Sequence, residues 1–261
     1  MPLSEARTKL LARLRRRKSR EREGLFLVEG IRAAREAVDA GAPMTFAVVS
    51  PRLRELDGGR RLAERLTRAV ETFEVEDPEL EGLSAAESSQ GVLVVCREPS
   101  PGLADLEVGG ALSRLLVVDG IQDPGNLGTL VRAAAGFALS GVIVLEGSVD
   151  PYNAKAVRGA AGALFRIVLV RARWESVVEW LRERRVRILL GDAQGADVGA
   201  VDRRPPWALV VGGEGAGARE TLRGATDERV AIPMPGGTES LNAGVAGAIL
   251  LYALTREGPG D

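Results

Sequence analysis

The sequence predicts an α/β protein in which a mostly parallel sheet, covered on both faces by helices, follows a smaller α/β unit. Three observations predict it. Uninterrupted apolar runs recur at Leu115–Val118, Val142–Leu145, Ile167–Val170, Val186–Leu190 and Ala208–Val211, as expected of strands buried on both faces and therefore parallel. Helical spacing separates them at Leu127–Ala138, Trp174–Arg184 and Leu241–Leu254, giving the alternation of a strand–helix–strand fold. The stretch Arg97–Gly110 (REPSPGLADLEVGG) is rich in proline, glycine and acids and reads as a linker between two parts.

The first part opens with a basic helix running to about Lys18, then a strand at Leu25–Val28. A helix at Ile31–Ala40, closed by Gly41, leads to a strand at Thr45–Val49. A helix at Arg60–Ala69 and further strands, the last at Val92–Cys96, complete it. The division drawn is 1–97 for this unit, 98–112 for the linker and 113–261 for the larger unit. A chain of 261 residues accommodates one large or two modest domains. No apolar run approaches the ~18–20 residues of a membrane span. Met1–Arg22 is basic without an apolar core, so a cytoplasmic location is expected.

Composition excludes whole classes of chemistry. There is no histidine, which removes Ser-His-Asp triads and histidine metal sites, and no metal is expected. The single cysteine, Cys96, forms no internal disulfide and lies in an apolar run, so it reads as a buried structural thiol. The net charge of −1 conceals an asymmetry: residues 1–22 hold nine basic and two acidic residues, net +7, leaving −8 on the rest. Arg13, Arg15, Arg16, Arg17, Lys18 and Arg20 are the candidates for contact with a polyanion such as RNA. A solvated helix face is the alternative.

In parallel sheets ligands bind beyond the strand C-termini, and three such places are unusual. The first runs Asp119-Gly120-Ile121-Gln122-Asp123-Pro124-Gly125-Asn126-Leu127-Gly128 and on to Arg132. Asn126 stands where a helix N-cap is expected, and a capping Asn with a surface Arg is the plain reading. The second is Gly212-Gly213-Glu214-Gly215-Ala216-Gly217, a loop open to close ligand approach. It lacks the Lys-Ser/Thr of a phosphate-binding P-loop, and its acid suits a cation or arginine instead. The third is Ile232-Pro233-Met234-Pro235-Gly236-Gly237-Thr238-Glu239-Ser240-Leu241-Asn242. There Ser240 is the expected N-cap, and Asn242 sits poorly within a first helical turn, which suggests another task for it.

Taken in order, Asn-x-Gly-x-x-x-Arg, Gly-Gly-Glu-Gly-x-Gly and Ile-Pro-Met followed by Ser-Leu-Asn resemble the SpoU (TrmH-like) RNA ribose 2′-O-methyltransferases of the SPOUT class, over residues 113–256. The connecting segment Asp150–Arg166 looks like the family's. Phe26-Leu27-Val28-Glu29-Gly30 is similar to an L30e-like substrate-binding domain. The resemblance implies a SPOUT domain with a C-terminal trefoil knot, a homodimer, and S-adenosylmethionine as cofactor. It also implies RNA as partner, 23S ribosomal RNA first and transfer RNA as the alternative. By position it implies Gly212, Gly213, Ile232, Met234 and Leu241 as cofactor contacts. Arg132, Asn126, Glu214, Ser240 and Asn242 are its catalytic set. A guanidinium remains protonated in proteins, so Arg132 suits alkoxide stabilisation or a phosphate grip better than proton abstraction. Ala160 stands where the family commonly has serine. A non-catalytic RNA-binding module on the same fold is the other reading. A dinucleotide-binding oxidoreductase is disfavoured, because the glycines are wrongly spaced and too late in the chain.

Overall fold

The computed structural model describes residues 3–86, 88–108, 113–204, 206–213, 219–237 and 240–256. The chain forms two compact units, 1–99 with 150–166, and 100–149 with 167–261. Helix α1 (Glu5–Leu14) starts at Ser4, whose hydroxyl accepts from the Arg7 N–H at 3.4 Å. The single basic helix expected to Lys18 is broken: Arg16 is extended, and α2 (Arg17–Glu23) restarts the helix. Four consecutive cations at 15–18 crowd like charges along any continuous helix. The Arg20 guanidinium instead takes the Leu14 and Arg15 carbonyls, at 2.9 and 3.0 Å. Gly24, at φ +61°, closes α2 in the left-handed conformation that favours glycine.

Strand β1 (Leu25–Glu29) and helix α3 (Ile31–Asp39) follow, then β2 (Met44–Val49), α4 (Pro51–Glu55) and α5 (Gly59–Ala69). Beyond α5, among the described residues, one further strand, β3 (Thr72–Glu74), precedes the last; a helix, α6 (Asp77–Leu83), intervenes before β4 (Val92–Arg97). The sheet order is β1-β4-β2-β3, with β4 antiparallel to both neighbours and β3 parallel to β2. Leu11, Leu14, Phe46, Phe73, Leu80 and Leu93 form part of its core. Cys96 is buried in β4, and desolvation pushes its thiol up to about 12, as expected of a structural cysteine.

The second unit begins with β5 (Arg114–Asp119), α7 (Pro124–Gly136) and β6 (Gly141–Leu145). The chain then contributes α8 (Ala154–Ala160) to the first unit. There Tyr152 and Phe165 pack on Phe26, with ring centroids 4.8 and 6.2 Å away. Back in the second unit come β7 (Leu169–Ala172), α9 (Trp174–Glu183), β8 (Arg187–Asp197) and β9 (Trp207–Gly212). The chain continues through α10 (Glu220–Arg223) and β10 (Glu228–Ala231) to α11 (Ala243–Thr255). The sheet runs β10-β8-β9-β5-β6-β7, every pairing parallel. Strand β8 extends past the expected Leu190 because pairing with β10 carries it on through a register shift, to Val230↔Ala196.

Helices cover both faces of this sheet. On one, Trp174, Val177, Trp180 and Leu181 of α9 join Leu115, Val117, Ile143, Ile188 and Val210 in a core. On the other, α7 and α11 pack together. A Cβ built on Gly247 would stand 2.3 Å from the end of the Leu130 side chain and 3.3 Å from Val211, so a larger residue here would push Leu130 aside. Among the described residues no helix is long and apolar enough to cross a membrane, and no cluster of acids and cysteine could hold a metal.

Candidate active site

Because all six strands are parallel, their C-terminal ends lie along one edge of the sheet, and the three unusual segments begin there. Asp119, last in β5, pairs in register with Gly212, last in β9. The backbones then converge further: a Cβ on Gly213 would stand 2.4 Å from the Gly120 carbonyl oxygen, so a side chain here is excluded. Gly120, at φ +69°, turns the chain. Its N–H donates to Ser148 Oγ at 3.0 Å, while Gln122 Nε2 donates to the carbonyls of Gly120 and Gly147 at 3.1 and 2.6 Å. The loops after β5 and β6 are therefore stitched together beside β9.

Helix α7 starts earlier than its apolar pattern suggests. Asp123, not Asn126, is its N-cap, with Oδ1 accepting from the Asn126 N–H at 2.9 Å and Pro124 opening the first turn. Asn126 thus lies within the first turn and is not the cap. At the other helix the correction is reversed. Asn242, not Ser240, caps α11, its Oδ1 accepting from the N–H groups of Gly244 and Val245 at 3.0 and 3.2 Å. Ser240 is exposed and Leu241 half-buried just before it.

The two asparagines meet at Gly244. A Cβ built there would stand 3.2 Å from each of Asn126 Cα, Asn126 Oδ1 and Asn242 Oδ1. Residues more than 110 apart in sequence are so brought to one place by two helix N-termini, whose packing leaves little room for a side chain at position 244. Ile232 follows β10 directly and is half-buried, as is Met234, whose carbonyl accepts from the Gly237 N–H at 3.1 Å in a turn. Arg132 is not gathered with them. It is exposed, makes no hydrogen bond or ion pair among the described residues, and lies about 120° around the helix from Asn126 by helix geometry. Glu214 lies outside the described residues.

One pair escaped the sequence reading. The Asp119 side chain is 3% exposed, accepts from the Arg219 N–H at 3.2 Å and is ion-paired with the Arg219 guanidinium. That guanidinium also donates to the Glu146 carbonyl at 2.9 Å. The pair fastens the far end of the loop that follows β9 to the ends of β5 and β6. The available signal was an acid closing a run of buried aliphatics, because such a carboxylate requires a partner.

Among the basic candidates, Arg13, Arg15, Arg16, Arg17 and Lys18 are exposed. Arg15 is partly occupied by the carbonyls of Gly82 and Ser84, at 2.9 and 2.7 Å, and Arg17 by Glu21 at 2.7 Å. Arg20 is a different case: it is buried against Asp150, which removes it from any surface contact.

Residues 113–252 match the SpoU rRNA Methylase family, and residues 5–94 match the MRM3-like substrate binding domain. The 23S rRNA (guanosine(2553)-2′-O)-methyltransferase RlmP of Bacillus subtilis is 31% identical over 243 residues, covering 93% of each chain. The 23S rRNA (guanosine-2′-O-)-methyltransferase RlmB of Bordetella pertussis is 37% identical over 205 residues, covering 76% of this chain and 82% of that protein. The SpoU methyltransferase AviRb of Streptomyces viridochromogenes, solved in complex with AdoMet, superposes with a TM-score of 0.86 at 30% identity, covering 97% of each chain. With a family match over more than half its length and relatives of this similarity, the chain belongs to the SpoU rRNA methylase family.

Proposed function

We propose that the chain is an RNA ribose 2′-O-methyltransferase of the cytoplasm that uses S-adenosylmethionine and acts on 23S ribosomal RNA. The observation that carries this reading is the meeting of Asn126 and Asn242 at Gly244, on the edge where β5 and β9 end side by side. The relatives' activities point the same way. The residues fit the cofactor: Ile232, Met234 and Leu241 are apolar side chains left half-buried on the loops flanking the sheet edge. They offer apolar surface to an uncharged ring, with Gly212 and Gly213 admitting a ligand close to the backbone. When bound there, S-adenosylmethionine supplies an electrophilic methyl group. In this reading the C-terminal part of the chain carries the knot that the family implies.

The chain's own groups orient and polarise the acceptor. Asn242 Oδ1 is committed to the α11 amides, which fixes the orientation of its side chain at the helix start. Asn126 and Ser240 position the ribose beside it. Arg132 meets the negative charge that develops on the 2′-oxygen, and Glu214 orients the guanidinium.

The same reading includes a homodimer. Val245, Ile249 and Tyr252 are 45, 37 and 55% exposed along one stripe of α11, a large apolar surface for a helix end. Tyr252 lies beside Phe137, the residue that ends α7, with ring centroids 6.1 Å apart, so the stripe adjoins the helix that carries Arg132. Sedimentation at micromolar concentration is expected to give twice the chain mass, and Tyr252→Glu to give the single chain; a wild-type monomer removes the dimer.

The function itself is tested by incubating the chain with tritiated cofactor and protein-free RNA and mapping ribose methylation. Label on 23S rRNA is expected. Label on transfer RNA alone transfers the assignment to that substrate, and no label on any RNA removes the enzyme reading.

A further inference from the structure

The buried carboxylate that ends β5 has no part in the proposed chemistry, yet it sits among the backbones that serve it. Asp119 Oδ1 is buried and takes no hydrogen bond among the described residues; the cation beside it is the Arg219 guanidinium. Oδ2 accepts from the Arg219 N–H at 3.2 Å. Arg219 therefore grips Asp119 with its main chain and its side chain together, and a carboxylate so enclosed depends on that compensation.

The grip extends to the neighbouring turn. The same guanidinium donates to the Glu146 carbonyl at 2.9 Å, just past β6, and its Nη2 lies 3.7 Å from where a Cβ on Gly147 would stand. Gln122 joins the carbonyls of Gly147 and Gly120, and Ser148 holds the Gly120 N–H. The Gly120 carbonyl oxygen is the atom that Gly213 abuts, and Asp119 itself is the register partner of Gly212. One cation on the segment after β9 so fixes the turns after β5 and β6 against the end of β9.

We propose that Arg219 is a positioning residue for the cofactor. By holding Asp119 and the Glu146 carbonyl, it sets the turns at Gly120 and Gly147 so that the Gly212 and Gly213 backbone keeps the arrangement that admits S-adenosylmethionine. The inference rests on the placement of the cofactor at Gly212 and Gly213 given above. Arg219 acts through these neighbours and not on the reacting atoms. Without it the turns sample other arrangements, and the competent one falls to a fraction of the molecules. Apparent affinity drops by that fraction, whereas turnover with cofactor bound does not.

The test is calorimetric titration of the full chain with S-adenosylmethionine, beside methyl transfer to ribosomal RNA at saturating cofactor. Arg219→Ala strands the buried Asp119 carboxylate. Asp119→Asn removes that charge and keeps an acceptor for the Arg219 N–H, so it spares the fold. Both are expected to raise Kd by about tenfold, the size of one hydrogen bond to a charged group, with kcat within about twofold of wild type. Arg219→Lys keeps a cation beside Asp119 and should recover part of the affinity. Asp119→Asn combined with Arg219→Ala should raise Kd no further than either alone, because both act through one contact. Arg182→Ala is the control. That guanidinium clamps Asp227 at 2.7 and 2.8 Å and the Ala225 carbonyl at 2.6 Å, where β10 begins, and its loss should leave Kd unchanged. A Kd within about twofold of wild type for both Arg219→Ala and Asp119→Asn overturns this inference alone. A fall in kcat with Kd unchanged also overturns it, as does an equal loss of affinity on Arg182→Ala, which marks general loosening. A wild-type chain that does not bind S-adenosylmethionine overturns the cofactor reading beneath it as well.

Discussion

Arg132→Ala is expected to lower methyl transfer by about 10²–10³-fold, the loss seen when one preorganised donor to a developing oxyanion is removed, while cofactor affinity stays within about twofold. The separation follows from where the residues lie. The proposed cofactor contacts stand at the ends of β9 and β10 and just before α11, whereas Arg132 is on α7, exposed and without a partner among the described residues. A side chain that contributes nothing to packing is removable without loss of structure. Its loss therefore registers in the chemical step. Single-turnover transfer of a tritiated methyl group, beside calorimetric titration of the cofactor, separates the two quantities. Arg132→Lys distinguishes the roles: a lone positive charge rescues alkoxide stabilisation in part, but it does not reproduce a two-pronged phosphate grip. If the proposed dimer places Arg132 at the other chain's site, mixing Arg132→Ala with Asn242→Ala chains is expected to restore activity that neither has alone. Near-normal turnover in Arg132→Ala would sink this role.

The parallel sheet was legible because strands buried on both faces leave an unbroken apolar signature, and all five runs named from sequence lie in or overlap observed strands. Strand ends and helix starts were less legible, because the competing residue types cap by the same chemistry. In Asp123-Pro124-Gly125-Asn126 the proline decides: it favours the first helical position, so the residue before it caps. At Ser240-Leu241-Asn242 no such residue breaks the tie, and only tertiary packing of Gly244 against Asn126 shows which one wins. Arg20 was unreadable for a different reason. Its neighbours at 15–18 are all cationic and exposed, and its partner, Asp150, lies 130 residues away. Nothing local distinguishes the one arginine that turns inward.

That inward arginine carries the largest stability effect. Arg20 and Asp150 have side chains only 3% exposed and are joined by Nη2 and Nε at 2.5 and 2.9 Å from the same carboxylate oxygen. The other oxygen accepts from the Tyr152 N–H at 3.0 Å, and Arg20 Nη1 holds the carbonyls that end α1. Asp150→Ala leaves a buried guanidinium without its counter-charge, and Arg20→Ala leaves a buried carboxylate. Each is expected to cost about 3–5 kcal/mol, a fall in Tm on the order of 10 °C for a chain of this size. Replacing both, as Arg20→Met with Asp150→Leu, removes the stranded charge but still gives up the contacts to Leu14, Arg15 and Tyr152, at roughly 0.5–1.5 kcal/mol each. The double variant should therefore lose less than the two single losses combined, the signature of a coupled pair. Because the pair ties the 150–166 segment to the arm at 17–23, and Tyr152 then packs on Phe26 of β1, the single variants should also loosen α8 and expose its amides to hydrogen exchange. Urea unfolding of all three variants measures the cycle. A cost below about 1 kcal/mol for Asp150→Ala, the value of an exposed pair, would show that the arm is not held by this contact.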